Sequence, residues 1–141
     1  MERALRPGIR GEMMHQVEPR HLASEVGSGL VSVFSTAMMI AGMEATAVES
    51  VQGLLAPGET TVGVHVDVAH KAATPLGMQV RFTSELLEVS ANGKGLTFRV
   101  EARDEAGIIG EGLHRRVVVE KDKFEARAKA KSGGRERTGA G

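Results

Sequence analysis

The chain contains no cysteine, tryptophan or tyrosine, and aromatic residues make up only 3% of it. Without cysteine there can be no disulfide, thiolate metal ligand or cysteine nucleophile, and the absence fits a reducing cytoplasm. So few aromatic rings argue against a base-stacking nucleic-acid surface or an aromatic sugar platform. Lys plus Arg and Asp plus Glu number 18 each, so no net charge recruits nucleic acid or an anionic membrane.

No apolar run in the sequence is long enough to cross a membrane. The longest, Val33 to Met43, falls well short of the roughly 20 residues that a helical span needs. Met1 to Glu18 lacks the apolar core of a signal peptide. We therefore expect a cytoplasmic protein with no membrane partner. The 141 residues suffice for one domain with its own core, which we place at residues 1–120.

The strongest helical signal follows a loop rich in serine and glycine. Ser32 and Ser35 are candidate N-caps, and Gly53 and Pro57 supply stop signals. Between them apolar residues recur every four positions, as on one face of a helix: Met39, Met43, Ala47 and Val51. The pattern predicts one long helix over residues 35–55, with enough Ala and Gly for neighbours to approach closely.

Everything after this helix alternates with a period of two, which is typical of strands. The alternating segments are residues 62–69, 78–83, 96–102 and 108–120, and a short strand is expected earlier, at 11–17. Leu86 and Leu87 break the phase, which predicts a bulge. Turn residues at 91–93 and 104–107 join neighbouring strands.

One long apolar helix, followed by strands joined by short turns, predicts an antiparallel sheet curled around that helix. This arrangement is an α+β fold. This is the hotdog fold, a long central helix wrapped by a curved antiparallel β-sheet. The edges of so small a sheet need a partner. We therefore expect a homodimer with its sheets joined edge to edge, or a dimer of dimers.

The composition changes after Glu120. Residues 121–141 hold seven basic and three acidic side chains and a Gly-Gly pair. We expect Phe124 to dock on the domain and the remainder to form a flexible basic tail.

Four polar features are not explained by core packing: the Ser35-Thr36 pair, Glu44, His70, and the run His114-Arg115-Arg116. Each also has an ordinary explanation, namely a helix-capping hydroxyl, a solvent-facing glutamate, a turn-capping histidine and a surface strand cation. His70 ends the valine-rich strand beside a loop, where a histidine can serve as a base near neutral pH. His65 and Asp67 have the spacing of metal ligands but no third ligand, so no metal site is expected.

Several short motifs occur together in one order. They are Val33-Phe34-Ser35-Thr36, Met43-Glu44, Gly63, His70 with its Ala-x-x-Pro-x-Gly loop, His114-x-Arg116, and Lys123-Phe124. In order and spacing they resemble the fluoroacetyl-CoA thioesterase family of hotdog enzymes over roughly residues 30 to 125. The resemblance implies hydrolysis of an acyl-CoA thioester by a homodimer, with no metal and no cofactor other than the coenzyme A of the substrate.

The resemblance also assigns roles to residues. It implies that Thr36, Glu44 and His70 are catalytic and that Gly63 and Arg116 line the substrate site. His70 would be the base, Glu44 would orient its imidazole, and Thr36 would attack or hold the attacking water. The family's fluoroacetate enzyme carries a phenylalanine-rich lid before the helix. Residues 21–32 contain no phenylalanine, so we do not expect specificity for a fluorinated acyl group.

Helix geometry constrains this site. Eight residues of one helix separate Thr36 from Glu44 by roughly 12 Å along the axis and about 80° around it. We therefore predict that the two do not both reach the same subunit's His70 and that one site takes residues from two subunits. Arg116 would then hold the carboxylate or bind the CoA phosphates.

Two other functions remain open at this point. One is a hotdog hydratase or dehydratase acting on enoyl thioesters. The other is a non-catalytic module that binds acyl-CoA or an acyl-carrier protein.

Overall fold

The computed structural model describes residues 5–137, and the side chains of residues 5–133. Its strands are β1 (Arg10–Gln16), β2 (Glu59–His70), β3 (Gln79–Val89), β4 (Gly95–Asp104) and β5 (Gly107–Glu120). Its helices are a 3₁₀ turn (Pro19–His21), α1 (Ala23–Val26), α2 (Thr36–Gln52) and α3 (Lys121–Arg137). None of the helices in residues 5–137 has the length and apolarity needed to cross a membrane.

The central helix α2 begins at Thr36 because Ser35 caps it. The Ser35 hydroxyl accepts a hydrogen bond from the Met38 backbone N–H at 3.0 Å, which satisfies one of the free donors of the first turn. The helix ends at Gln52, three residues before the predicted end, because the chain tightens into a turn at Gly53. Its buried face carries the residues that the four-residue repeat predicted: Met39, Met43, Ala47 and Val51.

All five strands form one antiparallel sheet in the order β1-β3-β4-β5-β2. The helix α2 contacts both edge strands, β1 and β2, as well as β3 and β4 between them. A sheet can touch one helix with both of its edges only if it curls around that helix. The α+β hotdog arrangement predicted from the sequence is therefore confirmed.

Close packing of α2 depends on its small residues. The Phe82 ring of β3 lies directly against Gly42, where a Cβ atom would collide with it. Phe82 and Phe98 are fully buried and fill the space between helix and sheet. Burying each such side chain stabilises the fold by about 1.5–3 kcal/mol.

The pairing of the strands shifts register at three places, between β2 and β5, β3 and β4, and β4 and β5, and the first two bear on the predictions. The predicted bulge is present at Leu87, where the pairing of β3 with β4 shifts between Leu86 and Glu88. A second bulge was not predicted. It lies at Val64, because Gly63 pairs with Arg116 and His65 pairs with Arg115.

The Val64 bulge brings two predicted site residues onto one face of β2. Counting by twos would place Gly63 and His70 on opposite faces. With one extra residue between them, Gly63 pairs with Arg116 and His70 pairs with Gly110, two positions of β5 that share a face. Both residues therefore face α2.

The segment after β5 differs from the prediction. Residues Lys121–Arg137 form helix α3 instead of a flexible tail. The reason is that Lys, Arg, Glu and Ala are strong helix formers, and Asp122 in the first turn favours the helix dipole. Phe124, which was expected to dock on the domain, is among the exposed large hydrophobic residues, with 37% of its surface accessible. The predicted tail also includes residues 138–141, which lie outside the described residues.

Candidate active site

Thr36 and His70 form a close polar pair. Thr36 is the first residue of α2 and His70 is the last residue of β2, so the ends of the two elements meet. The Thr36 Oγ1 atom lies 2.7 Å from His70 Nδ1. A hydroxyl at hydrogen-bond distance from an imidazole is the arrangement in which histidine can activate a nucleophile or hold a water molecule.

The other ring nitrogen of His70 is Nε2. Among the described residues, Nε2 is buried and makes no hydrogen bond. Burial lowers the pKa of His70 below its ordinary value, and the backbone of Ala72 opposes this shift. The lowered pKa favours the neutral, basic form of the imidazole, with one nitrogen facing Thr36 and the other left without a hydrogen-bond partner among the described residues.

Glu44 packs against the middle of β2, at Gly63, away from His70. Its Oε2 atom accepts a hydrogen bond from Arg116 Nη1 at 3.2 Å and lies 3.8 Å from His114 Nε2. A Cβ atom on Gly63 would stand 2.7 Å from the same oxygen. Gly63 thus lacks a side chain at the point where the Glu44 carboxylate packs on the strand.

Arg116 is anchored from several directions inside the sheet. Its Nε atom donates to the Thr61 hydroxyl at 2.8 Å, and Nη2 donates to the Thr61 carbonyl at 2.9 Å. The side chain is almost fully buried. Two roles were considered for Arg116, holding the carboxylate and binding the CoA phosphates. In the structure its guanidinium bonds the Glu44 carboxylate.

These residues form two separate groups within one chain. Gly63 and His70 are seven residues apart on β2, which corresponds to roughly 20 Å of extended strand. Glu44 packs at the Gly63 end, and Thr36 packs at the His70 end. Thr36, Glu44 and His70 therefore do not converge in one chain, in agreement with the helical spacing.

Two members of the Glu44 group received no role from the sequence: His114, which was singled out only as part of the run His114-Arg115-Arg116, and Thr61, which was not singled out. His114 is 1% exposed and bonds Arg116, and Thr61 supplies two acceptors to the same guanidinium. The alternation of His114, Arg116 and Val118 along β5 was the available signal, because Val118 marks that face as buried. No three His, Asp or Glu side chains come together to hold a metal ion within residues 5–133, whose side chains the structure describes.

Comparisons with known proteins identify the family. The family model described as fluoroacetyl-CoA-specific thioesterase matches residues 17–122. The fluoroacetyl-CoA thioesterase of Streptantibioticus cattleyicolor is 40% identical over 100 residues, which are 71% of this chain and 70% of that protein.

Solved structures agree with the sequence comparison. A structure of the fluoroacetyl-CoA thioesterase FlK is 34% identical, with a TM-score of 0.85 and coverage of 91% of this chain and 98% of that one. A hypothetical thioesterase superfamily member from Thermus thermophilus is 28% identical, with a TM-score of 0.85 and coverage of 99% and 100%. The chain therefore belongs to the fluoroacetyl-CoA-specific thioesterase family.

Proposed function

We propose that this protein hydrolyses a small acyl-CoA thioester at a site assembled by two copies of the chain. One subunit supplies Thr36 and His70, and the other supplies Glu44. The family membership supports the reaction class. The relative FlK has been solved with fluoroacetate and CoA and with acetyl-CoA, which supports a small acyl group carried on coenzyme A.

The buried, unpartnered Nε2 of His70 is the observation that carries the proposal. If the Thr36 hydroxyl donates to Nδ1, then Nε2 carries the ring proton and requires an acceptor. Nε2 is covered within the single chain, and the Ala72 backbone lies near the ring. The second subunit's carboxylate becomes the acceptor if pairing of the subunits turns the ring or moves the loop that follows β2. Glu44 is suited to this because its side chain is 41% exposed and only Oε2 is held by Arg116.

The position of β2 supports such an assembly. β2 is an edge strand, and its valines Val64 and Val66 are 58% and 40% exposed. A long apolar edge strand favours pairing with another chain. Antiparallel pairing of two β2 strands about a twofold axis, centred midway between Gly63 and His70, would bring the Gly63 end of one beside the His70 end of the other.

The reaction would proceed by base-assisted attack on the thioester carbonyl. His70 removes a proton from the nucleophile as its oxygen bonds to the carbonyl carbon. When the carbon–sulfur bond breaks, the same proton passes to the departing CoA sulfur. The second subunit's Glu44 stabilises the imidazolium between these steps, and the products are a carboxylic acid and free CoA.

Thr36 would act in one of two ways. Its oxygen can attack directly and form an acyl-enzyme that water then hydrolyses, or it can hold the attacking water. Rapid quenching followed by mass spectrometry of the intact protein separates the two. A mass increase equal to the acyl group, absent in Thr36→Val, indicates direct attack.

The test of the function is hydrolysis of a panel of acyl-CoAs followed with a thiol-trapping dye. The panel includes acetyl-CoA, fluoroacetyl-CoA and longer chains. We expect turnover of a small acyl-CoA by the wild type, and a loss of about 100-fold or more in His70→Ala and Glu44→Ala. His15→Ala on β1 and Glu49→Ala on the exposed side of α2 serve as matched controls and should retain activity.

Other results would point to the other functions. Tight acyl-CoA binding without turnover on any member of the panel, unchanged in the His70 and Glu44 variants, would contradict the proposal in favour of a binding module. Reversible addition of water to an enoyl-CoA, without release of thiol, would contradict it in favour of a hydratase.

A further inference from the structure

We propose that His114 is a positioning residue that accepts a hydrogen bond from Arg116 as a neutral imidazole and thereby aims the guanidinium at Glu44. The proposal deepens the function proposed above and rests on it for its kinetic consequences. The arrangement of the imidazole itself follows from the structure of the single chain. His114 touches neither Thr36 nor His70, so any effect on the reaction passes through Arg116 and Glu44.

The partners of His114 fix the role of each ring nitrogen. Its Nδ1 atom lies 2.8 Å from the His65 carbonyl oxygen, which can only accept, so Nδ1 must carry a proton. Its Nε2 atom lies 3.0 Å from Arg116 Nη1, which can only donate, so Nε2 must offer its lone pair. Both bonds are satisfied together only in the neutral imidazole protonated at Nδ1.

Arg116 shows why an acceptor is needed at this point. Nε and Nη2 are directed to Thr61, which fixes the plane of the guanidinium. Nη1 carries two hydrogens, one directed to Glu44 Oε2 and the other to His114 Nε2. Without the imidazole, one buried donor would lose its partner and the guanidinium could turn away from Glu44.

The charges around His114 favour the same neutral form. Burial lowers its pKa, as do Arg116 on β5 and His65 on β2, while the His65 carbonyl and Glu44 on α2 raise it. A protonated ring would place a second cation 3.0 Å from the guanidinium. Protonation of His114 would therefore break the bond that aligns Arg116.

The first test needs no enzymatic activity. Nitrogen-15 NMR of the whole protein, labelled at histidine, reports which nitrogen of each ring carries the proton. We expect His114 to be protonated at Nδ1 and unprotonated at Nε2, and to stay so below pH 6.5, the ordinary pKa of histidine. A ring protonated at Nε2, or a cation at neutral pH, would overturn the proposal even if the protein hydrolysed no thioester.

The second test compares three variants at His114. Gln can present an acceptor toward Arg116, Asn can keep only the donor to His65, and Leu keeps neither. We expect kcat to fall by about 100-fold in His114→Asn and His114→Leu, with KM little changed. The reason is that an unaligned Arg116 misplaces the Glu44 carboxylate by a fraction of an ångström or more. His114→Gln should recover about tenfold of that loss.

The order of the three variants separates positioning from general destabilisation. Thermal unfolding is measured beside the kinetics, so that a variant that fails to fold is recognised and the comparison rests on those that fold. Wild-type kcat in a folded His114→Leu, or equal losses in the Gln and Asn variants, would contradict the proposal. If the wild type shows no turnover, the function proposed above fails, and the NMR experiment still decides the role of His114.

Discussion

Glu44 and His70 are kept apart along strand β2 within one chain, because Glu44 on α2 packs at Gly63, near the middle of the strand, whereas His70 is its last residue. Glu44 packs on Gly63 and is held by Arg116, whereas His70 closes the strand and bonds Thr36. Each group is incomplete alone, since His70 Nε2 has no hydrogen-bond partner among the described residues and Glu44 is partly exposed. In the proposed dimer, antiparallel pairing of two β2 strands would complete both groups at once.

The titration of His70 should depend on Glu44. Burial lowers the pKa of His70 in the single chain, and a carboxylate beside Nε2 would raise it, because a negative charge favours the imidazolium. We expect Glu44→Gln to shift the His70 titration to lower pH. The measurement is an NMR titration of the His70 ring, with Glu49→Gln as the control. An unchanged titration in Glu44→Gln would show that the two side chains do not meet.

Gly63 should not tolerate a side chain. In Gly63→Ala the new methyl group would stand 2.7 Å from Glu44 Oε2 and 3.2 Å from Arg116 Nη1, so the carboxylate must move. We expect kcat/KM to fall by about 10- to 100-fold. Stability should fall by only about 1 kcal/mol or less, because the displaced atom is the end of a flexible, partly exposed side chain.

Gly53→Ala provides the matched control for that substitution. Gly53 has helical dihedral angles and nothing within 4 Å of its Cβ position. Alanine there should leave activity unchanged and raise stability slightly, by about 0.4–1 kcal/mol. Activity and stability of Gly63→Ala and Gly53→Ala are compared by kinetics and urea denaturation. Wild-type activity in Gly63→Ala would contradict the packing described for Glu44.

A charge on the β2 edge should dissociate the dimer. Val64→Lys places a strongly hydrated cation on the exposed edge strand, which disfavours pairing with another chain. We expect sedimentation to show a monomer with greatly reduced hydrolysis. Met14→Lys changes a similarly exposed residue, 57% against 58%, on the opposite edge strand β1. It should remain dimeric, and a Val64→Lys variant that stays dimeric would argue against the β2 interface.

Stability should fall as the solution becomes acidic. Burial lowers the pKa of His114 and of His21 from the ordinary value of 6.5. Below pH 6.5 the unfolded chain therefore binds protons more readily than the folded chain, and stability decreases until the folded-state pKa values are passed. Urea denaturation between pH 7.5 and about 5 measures this, and His114→Gln should show a shallower decrease. Equal slopes of stability against pH in the wild type and in His114→Gln would indicate that His114 does not contribute to the decrease.

Local sequence signals predicted much of the fold. The Ser35 cap, the apolar repeat of α2 and the Leu87 bulge all follow from short-range chemistry, and each is confirmed. The position of His70 at a strand end follows in the same way, because the valine alternation stops there.

Features that depend on distant parts of the chain were not predictable from local pattern. The valines of β2 alternate without interruption, so the bulge at Val64 appears only when β2 is paired with β5. The partner of Glu44 is likewise set by the register that brings Arg116 opposite Gly63. Helix α3 contains opposing local signals: its charges and its Gly-Gly pair favour a flexible tail, whereas its Lys, Arg, Glu and Ala residues favour a helix, and the helix forms.

The most direct test of a shared site is complementation between two inactive subunits. His70→Ala and Glu44→Ala carry different affinity tags and are co-expressed, and the mixed dimer is purified through both tags. If the site draws on two subunits, the mixed dimer contains one site with both residues intact and one with neither. It should then show about half the activity of a wild-type dimer, although each parent is inactive. A mixed dimer as inactive as its parents would contradict the account, because a site built within one subunit leaves both sites damaged.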